Sequence, residues 1–248
     1  MSRKARKPRF YFSFRSPYSW LAYRDLMDHH RWLATELDWR PFWEPDKRSE
    51  QMLAQAKRMF PYVDMSRPKH LYILADVDRL RRARGLEITW PTDRDPVWEV
   101  PHLAYLAAAD EGRGPEFIDA VYAARWQRAK NICDPATIAQ LAAELGLRPE
   151  RLAGAADDVE LRARGLAALL DVVDDGVFGV PFFVHGFDKF WGVDRLSGFV
   201  SAVSAARAPG ATPSAPAGQL PHLGPGPADR AGAGTGQSAD QGHAGGCG

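Results

Sequence analysis

Apolar residues follow two patterns along this chain: short unbroken runs closed by proline, and longer stretches in which they return every three to four positions. The run Arg9-Phe10-Tyr11-Phe12-Ser13-Phe14 is aromatic and short, and stops at Arg15-Ser16-Pro17. A serine N-cap followed by proline at the first helical position predicts a strand giving way to a helix. Trp20, Tyr23 and Met27 then recur at helical spacing beside Ala22 and Leu26. Leu37 to Trp43 reads as a second strand closed by Glu44-Pro45, so the chain opens with a strand–helix–strand unit. From Asp46 to about Asp157 the pattern predicts helices only: Ser49 to Met59, Pro68 to Arg84, Pro101 to Glu111, Pro115 to Lys130, Pro135 to Leu145 and Pro149 to Ala155. Prolines punctuate their starts and Gly85, Gly112 and Gly146 their ends. Asp158 to Asp174 is a further helix. Gly176 to Val184 and Phe187 to Trp191 read as strands around a His185-Gly186 turn, and a last helix runs from Asp194 to about Arg207.

This order predicts an α/β thioredoxin-like fold with an all-helical insertion between its βαβ and αββα halves. Residues 9–45 and 157–207 form the thioredoxin-like part, 46–156 the helical insertion, and 208–248 a tail. The tail has 41 residues, with 11 of the 22 glycines and 6 of the 19 prolines, and too few large apolar residues to bury a core. The remaining 207 residues amount to one sizeable domain. With 32 Lys+Arg against 31 Asp+Glu, a formal charge of +1 argues against nucleic acid as a partner. No stretch approaches the roughly 20 apolar residues of a membrane span or the pattern of a secretory signal, which predicts a cytoplasmic protein that does not use a membrane.

Two cysteines, Cys133 and Cys247, stand far apart, without a CxxC pair or metal-ligand spacing, so no metal is expected. In a thioredoxin-like fold the reactive position follows the first strand, at the N-terminus of the first helix, where unpaired N–H groups and the helix dipole favour negative charge. Here Ser16-Pro17-Tyr18-Ser19 occupies it, with the spacing of a Cys-x-x-Cys motif but oxygen in place of both sulfurs. Disulfide exchange by these residues is excluded. A hydroxyl at an anion-stabilising helix end can hold an external thiolate or a developing oxyanion; a plain N-cap accounts for Ser16 equally well. Val180-Pro181, leading into a buried apolar strand, fits a cis-proline loop beside that helix end, or an edge-strand proline.

Five ordered motifs resemble the 2-hydroxychromene-2-carboxylate isomerase and kappa-class glutathione transferase family, a DsbA-like branch of the thioredoxin superfamily. They are Phe12 to Ser19, Lys69-His70-Leu71-Tyr72 with Asp76, Trp126-Gln127-Arg128 leading to Ile132-Cys133-Asp134-Pro135, Gly176 to Pro181, and Phe190 to Arg195, spread across Phe10 to Ala206. The resemblance implies that Ser16 bonds the glutathione sulfur and favours its thiolate. It further implies that Lys69 contacts glutathione, that Val180, beside Pro181, offers its backbone to the cysteinyl unit, and that Asp194 takes the γ-glutamyl amino group. Lys69, Tyr72, Asp76 and Arg79 share one helix face by spacing; an exposed Asp76/Arg79 pair with Lys69 in solvent accounts for the same spacing. Two family contacts are missing: Val193 stands where a small polar residue is usual, and no asparagine lies near Phe60-Pro61. The implied glutathione site is thus weakened, by about thirtyfold at about 1 kcal/mol per contact.

Tyr18, Trp43, Tyr72 and Trp191, with Trp90, Trp98 and Trp126, are candidates for lining a slot around a flat conjugated substrate, although most large aromatics are core. The expected function is isomerisation of a cis or trans C=C bond conjugated to a carbonyl, with Ser16 and Lys69 as catalytic residues, with or without glutathione. The substrate class is an aromatic-degradation intermediate or a polyene acyl group, free or bound to a carrier protein. A kappa-class glutathione transferase or peroxidase and a non-catalytic, partner-binding thioredoxin-like module are the alternatives. Family members are commonly dimers, which implies a homodimer.

Overall fold

The computed structural model describes residues 6–61 and 65–207; the tail expected from 208 onward lies outside them. Strand β1 (Arg9–Phe12) passes into helix α1 (Pro17–His29), a short α2 (Arg31–Ala34) and β2 (Asp38–Pro41). Then come α3 (Lys47–Gln55), α4 (Arg67–Ala83), α5 (Glu99–Asp110), α6 (Gly114–Trp126), α7 (Pro135–Glu144), α8 (Pro149–Ala153) and α9 (Val159–Asp174). Strands β3 (Phe182–His185) and β4 (Asp188–Trp191), a 3₁₀ turn at Val193–Arg195 and α10 (Leu196–Arg207) complete the chain. The sheet has the order β2-β1-β3-β4, with β1 parallel to β2 and antiparallel to β3. This is the expected thioredoxin-like arrangement, with α3 to α8 between the two halves in sequence.

β1 is central and buried along its whole length, which is why its sequence is continuously apolar rather than alternating. Its two faces nonetheless do different work. Arg9 and Tyr11 both reach Asp175, just past the end of α9. Phe10 and Phe12 turn the other way, Phe10 stacking on Phe183 at 4.6 Å and Phe12 meeting Tyr105 edge-on at 5.2 Å. Phe183 in turn stacks on Phe199 of α10 at 4.9 Å.

Some elements differ from the sequence-based expectation. The strand expected over Gly176 to Val184 begins only at Phe182, because Gly176 takes a positive φ of 65° and the segment up to Pro181 runs as a loop. The helix expected to reach Met59 stops at Gln55, followed by Lys57 at φ 56°, and that expected to reach Lys130 stops at Trp126, before Ala129 at φ 49°. The last helix opens with the 3₁₀ turn, and α2 was not anticipated. No helix among the described residues is long and apolar enough to cross a membrane.

Candidate active site

The turn from β1 to α1 is closed by the Ser16 N–H donating to the Ser13 carbonyl at 3.2 Å and is braced by several side chains. Ser16 caps α1 by accepting from the Ser19 N–H at 3.2 Å. Ser19 in turn accepts from the Ser13 N–H at 3.3 Å, and Ser13 Oγ accepts from the Arg15 N–H at 3.3 Å. Two helices from outside the strand–helix unit also grip the turn. Tyr122 of α6 donates to the Ser13 carbonyl at 3.2 Å, and His102 Nε2 of α5 accepts from the Phe14 N–H at 3.2 Å.

Ser16 is only 2% exposed. Its Oγ lies 3.5 Å from the carbonyl oxygen of Val180, and the Val180–Pro181 bond is cis. The first helix end and the proline loop, 164 residues apart in sequence, therefore meet at this hydroxyl. The bond to Val180 is long for O–H···O, where about 2.7–2.8 Å is usual. With one lone pair of Oγ taken by the Ser19 N–H, the hydroxyl proton faces a weak acceptor and stays available to a stronger one.

Helix α4 forms a second wall. Tyr18 of α1 donates to Asp76 at 2.8 Å, and Asp76 also accepts from Arg79 at 2.8 Å. The Arg79 guanidinium stands 5.9 Å from the Tyr72 ring centre. Desolvation, then the bond to Asp76, raises the Tyr18 hydroxyl pKa well above its usual value, so Tyr18 stays protonated. Lys69 sits in the first turn of α4, exposed and without an ion-pair partner among the described residues. The expected face of α4 thus includes the Asp76/Arg79 pair, and Asp76 additionally ties it to the residue two places past Ser16.

Across the proline loop, the Gly192 N–H donates to the Pro181 carbonyl at 3.0 Å, which sets Trp191 and the Val193–Arg195 turn beside it. Trp191 is half exposed and meets Phe178 edge-on at 4.9 Å. Asp194 is exposed, 3.7 Å from its neighbour Arg195.

The DSBA-like thioredoxin domain family matches residues 9–204. The chain belongs to that family. A 2-hydroxychromene-2-carboxylate isomerase of Sphingobium xenophagum is 26% identical over 188 residues, covering 75% of this chain and 92% of the relative. A solved 2-hydroxychromene-2-carboxylate isomerase superposes with a TM-score of 0.62 at 21% identity, over 80% of this chain and 95% of that one. Pseudomonas aeruginosa DsbM, a cytosolic disulfide reductase solved with GSH, gives a TM-score of 0.51 at 19% identity, over 79% and 98%.

Within this DsbA-like frame one expectation needs correcting. Trp43 is 1% exposed and stacks on His102 at 5.3 Å, so it is core rather than the lining of a slot; Trp98 and Trp126 are buried likewise. Tyr18, Tyr72, Trp90 and Trp191 keep exposed surface. Cys133 is half-buried, and burial pushes its thiol up to about 12, the opposite of a nucleophile's tuning. Among the described residues no cluster of His, Cys, Asp or Glu could hold a metal ion. Sequence reasoning missed His102 and Tyr122, which act on the turn from helices about a hundred positions away and carry no local signal.

Proposed function

We propose that this DsbA-like chain is a cis–trans isomerase acting on a C=C bond conjugated to a carbonyl. The observation that carries the reading is the Ser16 hydroxyl: capped from one side, loosely held from the other, at a helix N-terminus beside the proline loop, in the place where redox relatives need sulfur. The similarity to a 2-hydroxychromene-2-carboxylate isomerase supports the same reaction class.

The chemistry needs negative charge to form and disappear on the substrate while the former double bond turns as a single bond. Ser16 donates its proton toward that charge in place of the weak contact with Val180, and the N-terminal dipole of α1 adds to the stabilisation. Lys69 neutralises a carboxylate or the developing enolate. Tyr18, two residues past Ser16, is kept protonated and fixed by Asp76 of α4.

The residues present fit glutathione in charge: a hydroxyl at Ser16, an exposed cation at Lys69 and an exposed carboxylate at Asp194. Glutathione when bound supplies a thiolate that adds to the conjugated system and leaves again. Val193, buried, offers it no polar contact, in keeping with a weakened site.

The test is the ultraviolet spectrum of candidate conjugated substrates incubated with the protein, with and without glutathione. Interconversion of isomers is expected. Ser16→Ala is expected to lower kcat/KM by about 10²–10³, as when one oxyanion donor is removed. Full activity in the Ser16→Ala, Lys69→Ala double variant would overturn the mechanism. Conjugation of a model electrophile with tight glutathione binding would favour a transferase instead.

A further inference from the structure

A cleft of about 460 Å³ opens between α3 and the segment that follows β2, within the range of roughly 300–1,000 Å³ typical of small-molecule sites. Its floor is apolar, built by Leu53 of α3 and by Phe60, both buried. Phe60 is backed by Phe42 at 5.0 Å. Ala54, exposed on α3, forms part of the wall. Pro45, the exposed Met59 and three charged side chains, Glu44, Glu50 and Arg58, complete the lining.

The placement of this cleft connects it to Ser16. The Phe42 N–H donates to the Phe12 carbonyl at 2.7 Å, fastening the segment after β2 to the carboxyl end of β1. Two residues on, Glu44 pairs with Arg15, the residue before Ser16. Cleft and hydroxyl thus lie beyond the carboxyl ends of adjacent parallel strands, where open α/β sheets receive ligands, and the Arg15–Glu44 pair is a wall close to both.

The charges are unequal. Arg58 is directed at Asp174 of α9, 3.4 Å away, whereas Glu50 has no ion-pair partner among the described residues. What a ligand would meet is an apolar floor rimmed by two carboxylates, Glu44 and Glu50, against one cation, Arg58, that is already engaged with Asp174. We infer that the cleft is a subsite for the part of the substrate remote from the reacting double bond, and that it takes an uncharged apolar group, an aryl ring or an unsaturated hydrocarbon chain, and turns away an anionic one. This rests on the isomerase reading above and extends it to the class of substrate. The acid or carbonyl end lies toward Ser16 and Lys69, the neutral end toward Leu53 and Phe60.

The experiment uses the full chain with a cis-cinnamylideneacetate and the same compound bearing a carboxylate on its ring. The neutral-ring compound is expected to have a KM lower by about tenfold or more, the usual scale of discrimination in an apolar pocket. Ala54→Trp, which fills the cleft from an exposed helix position, is expected to close that gap by raising the KM of the neutral-ring compound with a smaller change in kcat. Glu50→Lys is expected to narrow the gap by improving the charged one. Thermal melts by circular dichroism check that both variants fold. Equal KM values in the wild type, or an Ala54→Trp variant with the gap intact, would overturn the subsite while leaving the isomerase reading in place. Should the wild type turn over neither compound, the isomerase reading fails; calorimetric binding of the neutral-ring compound that Ala54→Trp abolishes would then uphold the cleft by itself, and the absence of such binding would overturn it.

Discussion

His102 shows how one residue can govern a turn to which it does not belong. Its Nδ1–H donates to the Trp98 carbonyl at 2.7 Å and its Nε2 accepts from the Phe14 N–H at 3.2 Å, so both bonds together require the neutral ring. Burial, assisted by the nearby charge of Arg125, depresses its pKa to about 3. In the unfolded chain the ring titrates near 6.5. Between these values the unfolded state binds a proton that the folded state refuses, so the stability tied to His102 is complete above pH 6.5 and falls as the pH is lowered toward 3. The slope approaches about 1.4 kcal/mol per pH unit. We expect urea midpoints to drop between pH 7 and pH 5, and the drop to shrink in His102→Phe. Glu99, whose pKa burial raises, acts in the reverse sense in acid but is common to both proteins and cancels in the comparison. At pH 7, His102→Phe should cost about 1–3 kcal/mol, since it strands the buried Phe14 N–H, whereas the Trp98 carbonyl keeps the backbone N–H of residue 102 at 3.4 Å. Identical pH slopes in the two proteins would rule out this coupling. Ser16 could be read from the sequence because a cap and a following proline are local signals. His102 could not, because its partner is 88 residues away, and Trp43 looked like pocket because burial is decided by what packs around it.

Helix starts were legible for the same local reason. Ser16, Asp46, Ser66, Asp134 and Asp158 each accept a backbone N–H two or three residues on, and proline follows in several of these starts. Helix ends were less so, since Lys57 and Ala129 take a positive φ that neither residue type signals in the sequence. Packing between elements escaped the sequence altogether. Arg162 of α9 pairs with Asp46 at 2.8 Å, donates to Ser49 at 3.0 Å and stands 3.7 Å from the fully buried Glu99, joining α3, α5 and α9. One oxygen of Glu99 accepts from the Asp46 N–H and the Ser49 hydroxyl, both at 2.8 Å. Arg162→Met removes the counter-charge and is expected to destabilise by about 3–5 kcal/mol. Adding Glu99→Gln should recover part of that loss, because the residual buried charge is then smaller. Chemical denaturation of the single and double variants measures the coupling, and purely additive losses would show that the three helices are not joined through this charge pair.

Across the whole molecule, the site lies at a seam. Tyr18–Asp76 and the paired Arg84–Asp25 bonds, each at 2.8 Å, dock α4 against α1, while Ser16 meets the Val180–Pro181 loop from the far end of the chain. This DsbA-like frame therefore presents a serine hydroxyl where its elements converge. Its body cysteine, Cys133, belongs to the loop before α7, with a thiol held protonated by burial. If that thiol played a chemical part, alkylating or replacing it would change turnover. At pH 7 the thiolate fraction implied by a pKa near 12 is on the order of 10⁻⁵, against a few per cent for an ordinary cysteine. Iodoacetamide is therefore expected to label Cys133 far more slowly in the native protein than in urea, with peptide mapping to separate it from Cys247. Cys133→Ala should retain turnover within about twofold, given a modest packing loss. Rapid native labelling at Cys133, or a folded Cys133→Ala protein without activity, would place the nucleophile in the protein itself. Slow labelling with activity kept would remove Cys133 as the source of any sulfur in the reaction.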